Sequence, residues 1–307
     1  MTLAPIALFV YRRPEHTRRT IKALQACLEF ENSPVHVFSD GPRDAAAEAG
    51  VAATRDVVRS LLPAARLVEA PANQGLAASI IAGVDALTDS YGRVIVVEDD
   101  LIVDNRFMRF MNAALDRFAE APQVMQVSGF QHAVAGLNSP VFLPMTTSWG
   151  WATWQRAWQR FDKDCSGADR LTADPDLARR FDLDGAMPYT KMLARQRAGT
   201  IDSWAIRWYW TVFLAEGLVL YPPESLVRND GFDGSGTHGV ASVRHGSLAS
   251  TSCDARQFFD FPTDLRVDPA ALALIRAAAL WDFGGDSSIV VKIGRALRGR
   301  LRGLAAG

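Results

Sequence analysis

Three consecutive acidic side chains, Glu98, Asp99 and Asp100, are the clearest chemical feature of the sequence. They follow the apolar run Val94–Val97, which is typical of a strand buried on both faces of a parallel sheet. Three neighbouring carboxylates repel one another, and a divalent cation with a phosphate-bearing ligand would relieve that repulsion. Because open α/β sheets bind ligands beyond the carboxyl ends of their strands, we interpret the triplet as a candidate metal site. A solvated acidic loop without a function is the alternative.

Two earlier strand ends also carry side chains suited to a charged ligand. The apolar segment Pro5–Tyr11 ends in Arg12 and Arg13 at the start of a predicted helix, and the predicted strand Val35–Phe38 leads to Asp40. A guanidinium group at such a turn is able to bind a phosphate or a base edge. A solvated arginine pair is the alternative.

The chain has eight tryptophans, and most of them fall between Trp149 and Trp210. Trp149 and Trp151 flank Gly150, which lets a ligand approach the backbone closely, so their rings are suited to stacking on a sugar ring. Trp151, Trp154 and Trp158 are spaced three and four apart, which predicts one helix face and, for the latter two, a packed aromatic seam.

Asp202 precedes Trp204 at the start of a Trp-rich predicted helix. An aspartate at this position caps a helix, which would be a purely structural role. A carboxylate beside aromatic rings is also the setting of a general base. The residues alone leave both interpretations open.

Glycines recur through residues 229–239, together with Ser235 and His238. This composition predicts a mobile loop of the kind that closes over phosphates. A turn without a function is the alternative.

The elements that position these side chains are predicted by the alternation of apolar strands and amphipathic helices. The first hundred residues read as βαβαβαβ, which indicates a parallel sheet with ligand groups along one edge. No Gly-x-Gly-x-x-Gly follows the first strand and no Walker motif is present, which argues against a dinucleotide oxidoreductase or an NTPase.

Composition sets further bounds. The 307 residues are 49% hydrophobic and 22% charged with a net charge of −1, so we expect a globular chain that does not bind nucleic acid. Cys27, Cys165 and Cys253 show neither zinc spacing nor a disulfide framework, which favours a reducing compartment. No signal peptide or membrane span is visible, so the predicted location is cytoplasmic.

Residues 289–304 carry basic side chains without an acid, and apolar residues repeat there every four positions. This pattern predicts a basic amphipathic helix able to lie on an anionic membrane surface, as in a peripheral membrane protein. A solvated C-terminal helix is the alternative.

Six motifs resemble, in type and order from about residue 5 to 240, the bacterial nucleotide-sugar glycosyltransferases of the GT-A fold (family 2-like) and, more distantly, N-acetylglucosaminyltransferase I. They are Phe9–Thr17, Ser39–Gly41, Val97–Asp100, Ser148–Trp151, Ile201–Trp204 and Ser235–Gly239. The resemblance implies an α/β fold with a Rossmann-like mixed, mainly parallel sheet flanked by helices. It implies a glycosyltransferase domain at 1–245, with a donor nucleotide-binding part (1–128) and an acceptor-binding and catalytic part (129–245), and a C-terminal extension at 246–307.

The resemblance also implies site roles. Asp100 would bind a Mn²⁺ (or Mg²⁺) ion that bridges the donor phosphates, and Asp202 would be the catalytic base. Relatives often carry two consecutive acids at the latter position, where this chain has one. The remaining implied contacts are to the donor for Arg13, Asp40, Glu98, Asp99, Ser235 and His238, and to the acceptor for Trp149, Gly150, Trp151 and Trp204.

The function expected from the resemblance is inverting transfer of a sugar from a nucleotide-sugar, a UDP-sugar, to a glycan or lipid-linked acceptor in bacterial surface polysaccharide synthesis. One rival is a sugar-1-phosphate nucleotidyltransferase, which usually has a Gly-rich basic loop after its first strand, and Tyr11–Pro14 lacks the glycines. The other rival is a non-catalytic carbohydrate-binding protein that uses the tryptophans.

Overall fold

The computed structural model describes residues 2–231 and 257–282. Its strands are β1 (Ile6–Val10), β2 (Val35–Ser39), β3 (Arg66–Glu69), β4 (Arg93–Glu98), β5 (Leu101–Val103), β6 (Val124–Ser128), β7 (Val141–Leu143), β8 (Trp151–Trp154), β9 (Leu218–Tyr221) and β10 (Val227–Asn229). The predicted positions of the first strands are confirmed to within a residue or two at their ends.

The helices flank these strands in sequence. They are α1 (Pro14–Gln25), α2 (Ala45–Leu61), α3 (Leu76–Tyr91), α4 (Phe107–Arg117), α5 (Gln155–Trp158), α6 (Arg170–Ala173), α7 (Pro175–Phe181), α8 (Tyr189–Arg197), α9 (Trp204–Leu214) and α10 (Pro269–Asp282). None of the helices in the described residues is long and apolar enough to cross a membrane.

One eight-stranded sheet has the order β3-β2-β1-β4-β8-β6-β9-β7, and β5 pairs with β10 in a separate antiparallel ribbon. Strands β1 to β4 are parallel, β8 is antiparallel to both β4 and β6, and β7 is antiparallel to β9. Only β7 and β8 therefore oppose the common direction of the described sheet. The prediction of a mixed, mainly parallel sheet flanked by helices is confirmed.

The acidic triplet follows the central strand β4, whose side chains alternate between two apolar layers. Val94 and Val96 pack into the layer that contains α3 and α9. Ile95 and Val97 pack into the layer that contains α1, α2 and α4. All four are at most 1% exposed, as predicted for a strand buried on both faces.

The predicted helix face through Trp151, Trp154 and Trp158 is wrong. The first two lie on strand β8 and point into opposite layers, and α5 begins only at Gln155. The segment forms a strand because it fills the gap between β4 and β6, where both neighbours need backbone partners. Trp154 and Trp158 are nevertheless buried core residues, as expected.

The described part of the C-terminal extension packs on the sheet. Phe258 is fully buried and its ring lies 5.5 Å from that of Phe110. The backbone N–H of Asp268 donates to the carbonyl of Phe142 at 3.0 Å, just before α10 begins. Ser235, His238, Cys253 and the basic segment 289–304 lie outside the described residues. Cys27 and Cys165 are both free and buried.

Candidate functional site

The end of β4 lies beside the turn that follows β1. Because the two strands are parallel with Phe9 opposite Glu98, the turn containing Arg13 meets the acidic triplet. One guanidinium nitrogen, Nη2 of Arg13, donates to Oδ1 of Asp99 at 2.6 Å and to Oδ2 of Asp100 at 2.8 Å. The structure thus brings together three predicted donor-side residues from two strand ends.

Asp99 is 5% exposed and holds this turn in place. Its side chain accepts from the backbone N–H of Tyr11 at 3.2 Å, and its carbonyl accepts from the hydroxyl of Thr20 at 2.8 Å. The resemblance implied that Asp99 meets the ribose or the sugar. In this structure its contacts are with the protein, and it acts as the anchor of Arg13.

Burial and mutual repulsion shift the charges of the cluster. Desolvation, and then the carboxylates of Asp100 and Asp99, raise the pKa of Glu98 to about 8. Desolvation also raises the pKa of Asp99, although Arg13 opposes the shift. Burial works against the charge of Arg13, but Asp99 and Asp100 outweigh it and raise its pKa. Glu98 is therefore largely protonated at neutral pH.

The ribbon of β5 and β10 brings the glycine-rich segment to Asp100. Asn229 pairs with Leu101, and the next backbone N–H, of Asp230, donates to the carbonyl of Asp100 at 2.8 Å. A Cβ atom on Gly231 would lie 2.2 Å from Oδ2 of Asp100, so a larger residue here would have to displace that carboxylate. The segment that was predicted to cover the donor thus starts against the candidate metal ligand.

The donor set fits a cation that is shared with a phosphate ligand. Among residues 2–231 and 257–282, no three His, Cys, Asp or Glu side chains come together as a complete metal site. Mg²⁺ and similar ions are often held by one or two carboxylates plus substrate phosphates, so the carboxylate of Asp100, with a side chain 16% exposed, is sufficient on the protein side.

Asp40 organises the loop beside this edge. Its two oxygens accept four hydrogen bonds, at 2.8 to 3.0 Å, from the backbone N–H groups of Gly41, Gln74 and Gly75 and from Nδ2 of Asn73. A carboxylate has about four acceptor positions, so all of them are in use. Asp40 therefore fixes the loop before α3 in this structure, and a base would have to replace one of these partners to contact it.

Arg55 supports the same loop and was not singled out in the sequence. It donates from Nε to Oγ of Ser39 at 3.0 Å and from Nη2 to the carbonyl of Ala70 at 2.8 Å. The sequence does indicate that Arg55 is partly buried, because it falls at helical spacing between Val51 and Val58, which are both buried. A charged side chain on a buried helix face needs partners.

An aromatic cleft of about 190 Å³ is lined by residues of the part that is predicted to bind the acceptor, 129–245. Its lining residues are Phe130, His132, Met145, Thr146, Thr147, Ser148, Trp149, Met187, Tyr189, Met192, Trp204, Ala205, Ile206 and Tyr209. Two of the predicted acceptor residues, Trp149 and Trp204, belong to this set. Spacing along the sequence gave no indication of the methionines and tyrosines, which come from the loop after β7, from the turn before α8, and from α8 and α9.

Two other predicted acceptor residues have structural roles. Trp151 is fully buried and stacks on Trp204 with ring centroids 5.0 Å apart, so it supports the cleft from behind. Gly150 has φ +59°, and a Cβ atom there would lie 2.7 Å from Cγ2 of Val227. Its missing side chain makes room for β10, and its contact with an acceptor stays a prediction.

The cleft lies next to the acidic triplet along the sheet edge. Val96 pairs with Trp151, so Glu98 and Trp149 each stand two residues beyond this pair towards the same edge. The ribbon strand β10 connects the two regions, since Leu226 donates to the carbonyl of Gly129 at 2.8 Å and Gly129 donates to that of Gly150. Five residues later the chain reaches Asp100 through Gly231.

Asp202 stands before α9, two residues ahead of Trp204. The helix cap is Ser203, whose Oγ accepts from the backbone N–H of Ile206, so the capping interpretation of Asp202 is wrong. Its side chain is 65% exposed and pairs with Arg207 at 2.6 Å. This exposed carboxylate lies two residues before the cleft-lining Trp204, which keeps the general-base interpretation as a proposal.

The chain is similar in structure to several solved transferases. Glucosyl-3-phosphoglycerate synthase from Mycobacterium tuberculosis, in complex with Mn²⁺, UDP and glucosyl-3-phosphoglycerate, matches 52% of this chain and 59% of its own length at 14% identity and a TM-score of 0.33. Mannose-1-phosphate geranyltransferase from Thermus thermophilus matches 72% of this chain and 73% of its own at 15% identity and a TM-score of 0.35. Galactosyltransferase LgtC, with donor and acceptor sugar analogues, matches 70% and 73% at 11% identity and a TM-score of 0.34.

No protein-family model matches the sequence, and no curated protein matches it significantly. The chain spans about three fifths of the first of these solved structures. The function of the chain is therefore inferred from the geometry of the candidate site and from the motifs that it brings together.

Proposed function

We propose that the chain is a metal-dependent glycosyltransferase of the GT-A type that takes a hexosyl or N-acetylhexosaminyl group from a UDP-sugar. The observation that carries the proposal is the meeting of Arg13, Asp100 and Gly231 at the carboxyl end of β4. A cation and a diphosphate are the ligands that a guanidinium, a carboxylate and a glycine backbone accommodate together.

On the donor side, Asp100 would hold Mn²⁺ or Mg²⁺, and the ion when bound stabilises the charge of the leaving diphosphate. Arg13 lies within reach of the same anion and is held there by Asp99. The loop fixed by Asp40 lies beside the strand end and would receive the base. Ser235 and His238 follow Gly231 in sequence, and we assign them to the donor on that ground alone.

On the acceptor side, Trp149 and Trp204 line the cleft next to the donor edge. Asp202, two residues before the cleft-lining Trp204, would take the proton of the acceptor hydroxyl as it attacks the anomeric carbon opposite the diphosphate, which would invert the configuration. A glycan or lipid-linked acceptor of bacterial surface polysaccharide synthesis fits this arrangement, with catalysis at the cytoplasmic side and residues 289–304 touching the membrane surface.

Calorimetry with UDP-sugars, with and without Mn²⁺, tests the donor assignment. We expect binding that requires the ion and that Asp100→Asn weakens strongly, because the neutral amide lacks the negative charge of the carboxylate ligand. Ion-independent binding, or unchanged affinity in the variant, would refute the metal role. Release of UDP on addition of an acceptor separates a transferase from a carbohydrate-binding protein, and release of diphosphate from UTP would indicate a nucleotidyltransferase.

A further inference from the structure

The lining of the aromatic cleft is far more apolar than a sugar-binding site requires. Among its described residues are three methionines, Met145, Met187 and Met192. Methionine is unbranched and adapts its shape to flexible apolar partners. Sugar sites usually combine an aromatic face with several polar groups that pair with ring hydroxyls, because an unpaired buried hydroxyl is unfavourable.

Several polar groups of the lining are already used within the protein. The hydroxyl of Thr147 shares a hydrogen bond of 2.5 Å with Ser128, and the carbonyl of Thr147 accepts from Gln126 at 2.9 Å. The hydroxyl of Tyr209 donates to the carbonyl of Phe181 at 2.9 Å. These groups are engaged within the protein, so they strengthen the cleft walls and have less hydrogen-bonding capacity left for a ligand.

The aromatic rings of the cleft are held rigidly. Trp204 is 4% exposed and stacks on the buried Trp151. Trp149 packs edge-to-face on Phe130 with ring centroids 4.8 Å apart. The packed aromatic rings and the adaptable methionines line the same cleft, and this lining suits a slender apolar group.

We propose that this cleft binds an aliphatic chain of the acceptor, so that the acceptor is an amphipathic, lipid-linked saccharide. This inference rests on the proposed function, because the cleft adjoins the edge where the donor sugar would be transferred. The volume of about 190 Å³ exceeds the ~150 Å³ of a cavity that holds benzene, so it takes a segment of roughly six to eight carbons.

The test uses the full chain without donor or metal, so a failed donor assignment does not affect it. Methyl, butyl, hexyl and octyl β-glucosides are titrated below their micelle concentrations, with tryptophan fluorescence as the readout. We expect the affinity to rise about fourfold for each added methylene until the cleft is full. The n-alkanols of the same lengths should show the same slope, because the chain supplies the binding energy.

Substitutions of the lining methionines on α8 and just before it test whether the alkyl chain binds in the cleft. Met192→Gln keeps the side-chain length but adds an amide to the lining, and it should reduce the gain per methylene. Lys191→Gln is the matched control, since Lys191 is the exposed neighbour outside the lining, and it should leave the slope unchanged. Met187→Gln provides a second lining variant if the first one fails to fold.

Three results would overturn the inference. An affinity that does not depend on chain length would show that the cleft does not hold the chain. Methyl glucoside binding as tightly as the octyl compound would indicate a sugar site. An unchanged slope in the lining variants would place the alkyl chain elsewhere on the protein.

Discussion

The contact between Arg13 and Asp100 sets the charge of the candidate metal site. With Glu98 largely protonated at neutral pH and Arg13 paired with both Asp99 and Asp100, the cluster carries less negative charge than three separate carboxylates would. Such a cluster would attract a divalent cation without strongly repelling the diphosphate that is proposed to bind with it. The three adjacent acids of the sequence are thus less charged than their residue types suggest.

Gly231→Ala should disturb the metal ligand while the fold persists. The new Cβ would lie 2.2 Å from Oδ2 of Asp100, so the carboxylate must move away from Arg13. We expect Mn²⁺-dependent binding of the UDP-sugar to weaken about 10–100-fold, as when a supporting contact of a metal ligand is lost. Calorimetry measures this. Asp230→Asn is the neighbouring control, and an equal effect there would contradict the steric explanation.

Asp202→Asn should lose about 10²–10⁴-fold in turnover while donor binding is unchanged, because the amide cannot accept the proton. The matched control is Asp169→Asn, which alters another exposed aspartate in an ion pair, with Arg197 at 2.6 Å. Exposed pairs add little stability, so both variants should fold. Steady-state rates at saturating donor measure the loss of turnover in each variant. Wild-type turnover in the Asp202 variant would exclude it as the base.

At the scale of elements, the sequence predicted strands better than the role of each polar side chain at their ends. β4 was evident from its run of apolar residues, and so was the position of the acids after it. That Asp99 anchors Arg13 was not predictable, because this contact depends on the register between β1 and β4. Likewise, the pairing of β10 with β5 joins residues that are far apart in the chain, and no local pattern indicates it.

The loop before α3 depends on one carboxylate. Asp40→Asn would turn an acceptor oxygen into an NH₂ group that faces backbone N–H donors. We expect a loss of about 1–3 kcal/mol in the free energy of unfolding, as for a buried group left unsatisfied. Urea denaturation measures the loss. Asp44→Asn at the start of α2 is the control, because asparagine caps helices as well as aspartate, and an equal loss there would contradict the argument.

At the scale of the whole molecule, the first hundred residues were predicted well and the middle of the chain less well. Alternating apolar runs and helical periodicity dominate the first part, so local patterns determine its elements. Trp151 and Trp154 illustrate the difference in the second part. Their spacing fits a helix, but the open edge of β4 recruits this segment as a strand, and such a tertiary requirement overrides local spacing.

The stability of the whole fold should depend on pH through Glu98. Its pKa is about 8 in the folded chain against an ordinary value of 4.5, so the folded state holds more protons between these pH values. Stability therefore falls as pH rises through this window. Glu98→Gln should reduce the fall, measured by urea unfolding at pH 5 and pH 8. The exposed Glu48→Gln should not, and a wild-type pH profile in Glu98→Gln would disprove the shift.

The position of β8 in the sheet limits which parts of this chain can be exchanged with another protein. β8 comes after residue 128 in the chain, yet it is the strand that joins β4 to β6. A chimera that grafts residues 1–128 onto another scaffold would leave the donor half without its neighbouring strand and expose the backbone of β4. Residues 1–128 are therefore not a detachable module, and any transplant must carry Trp151–Trp154 with it.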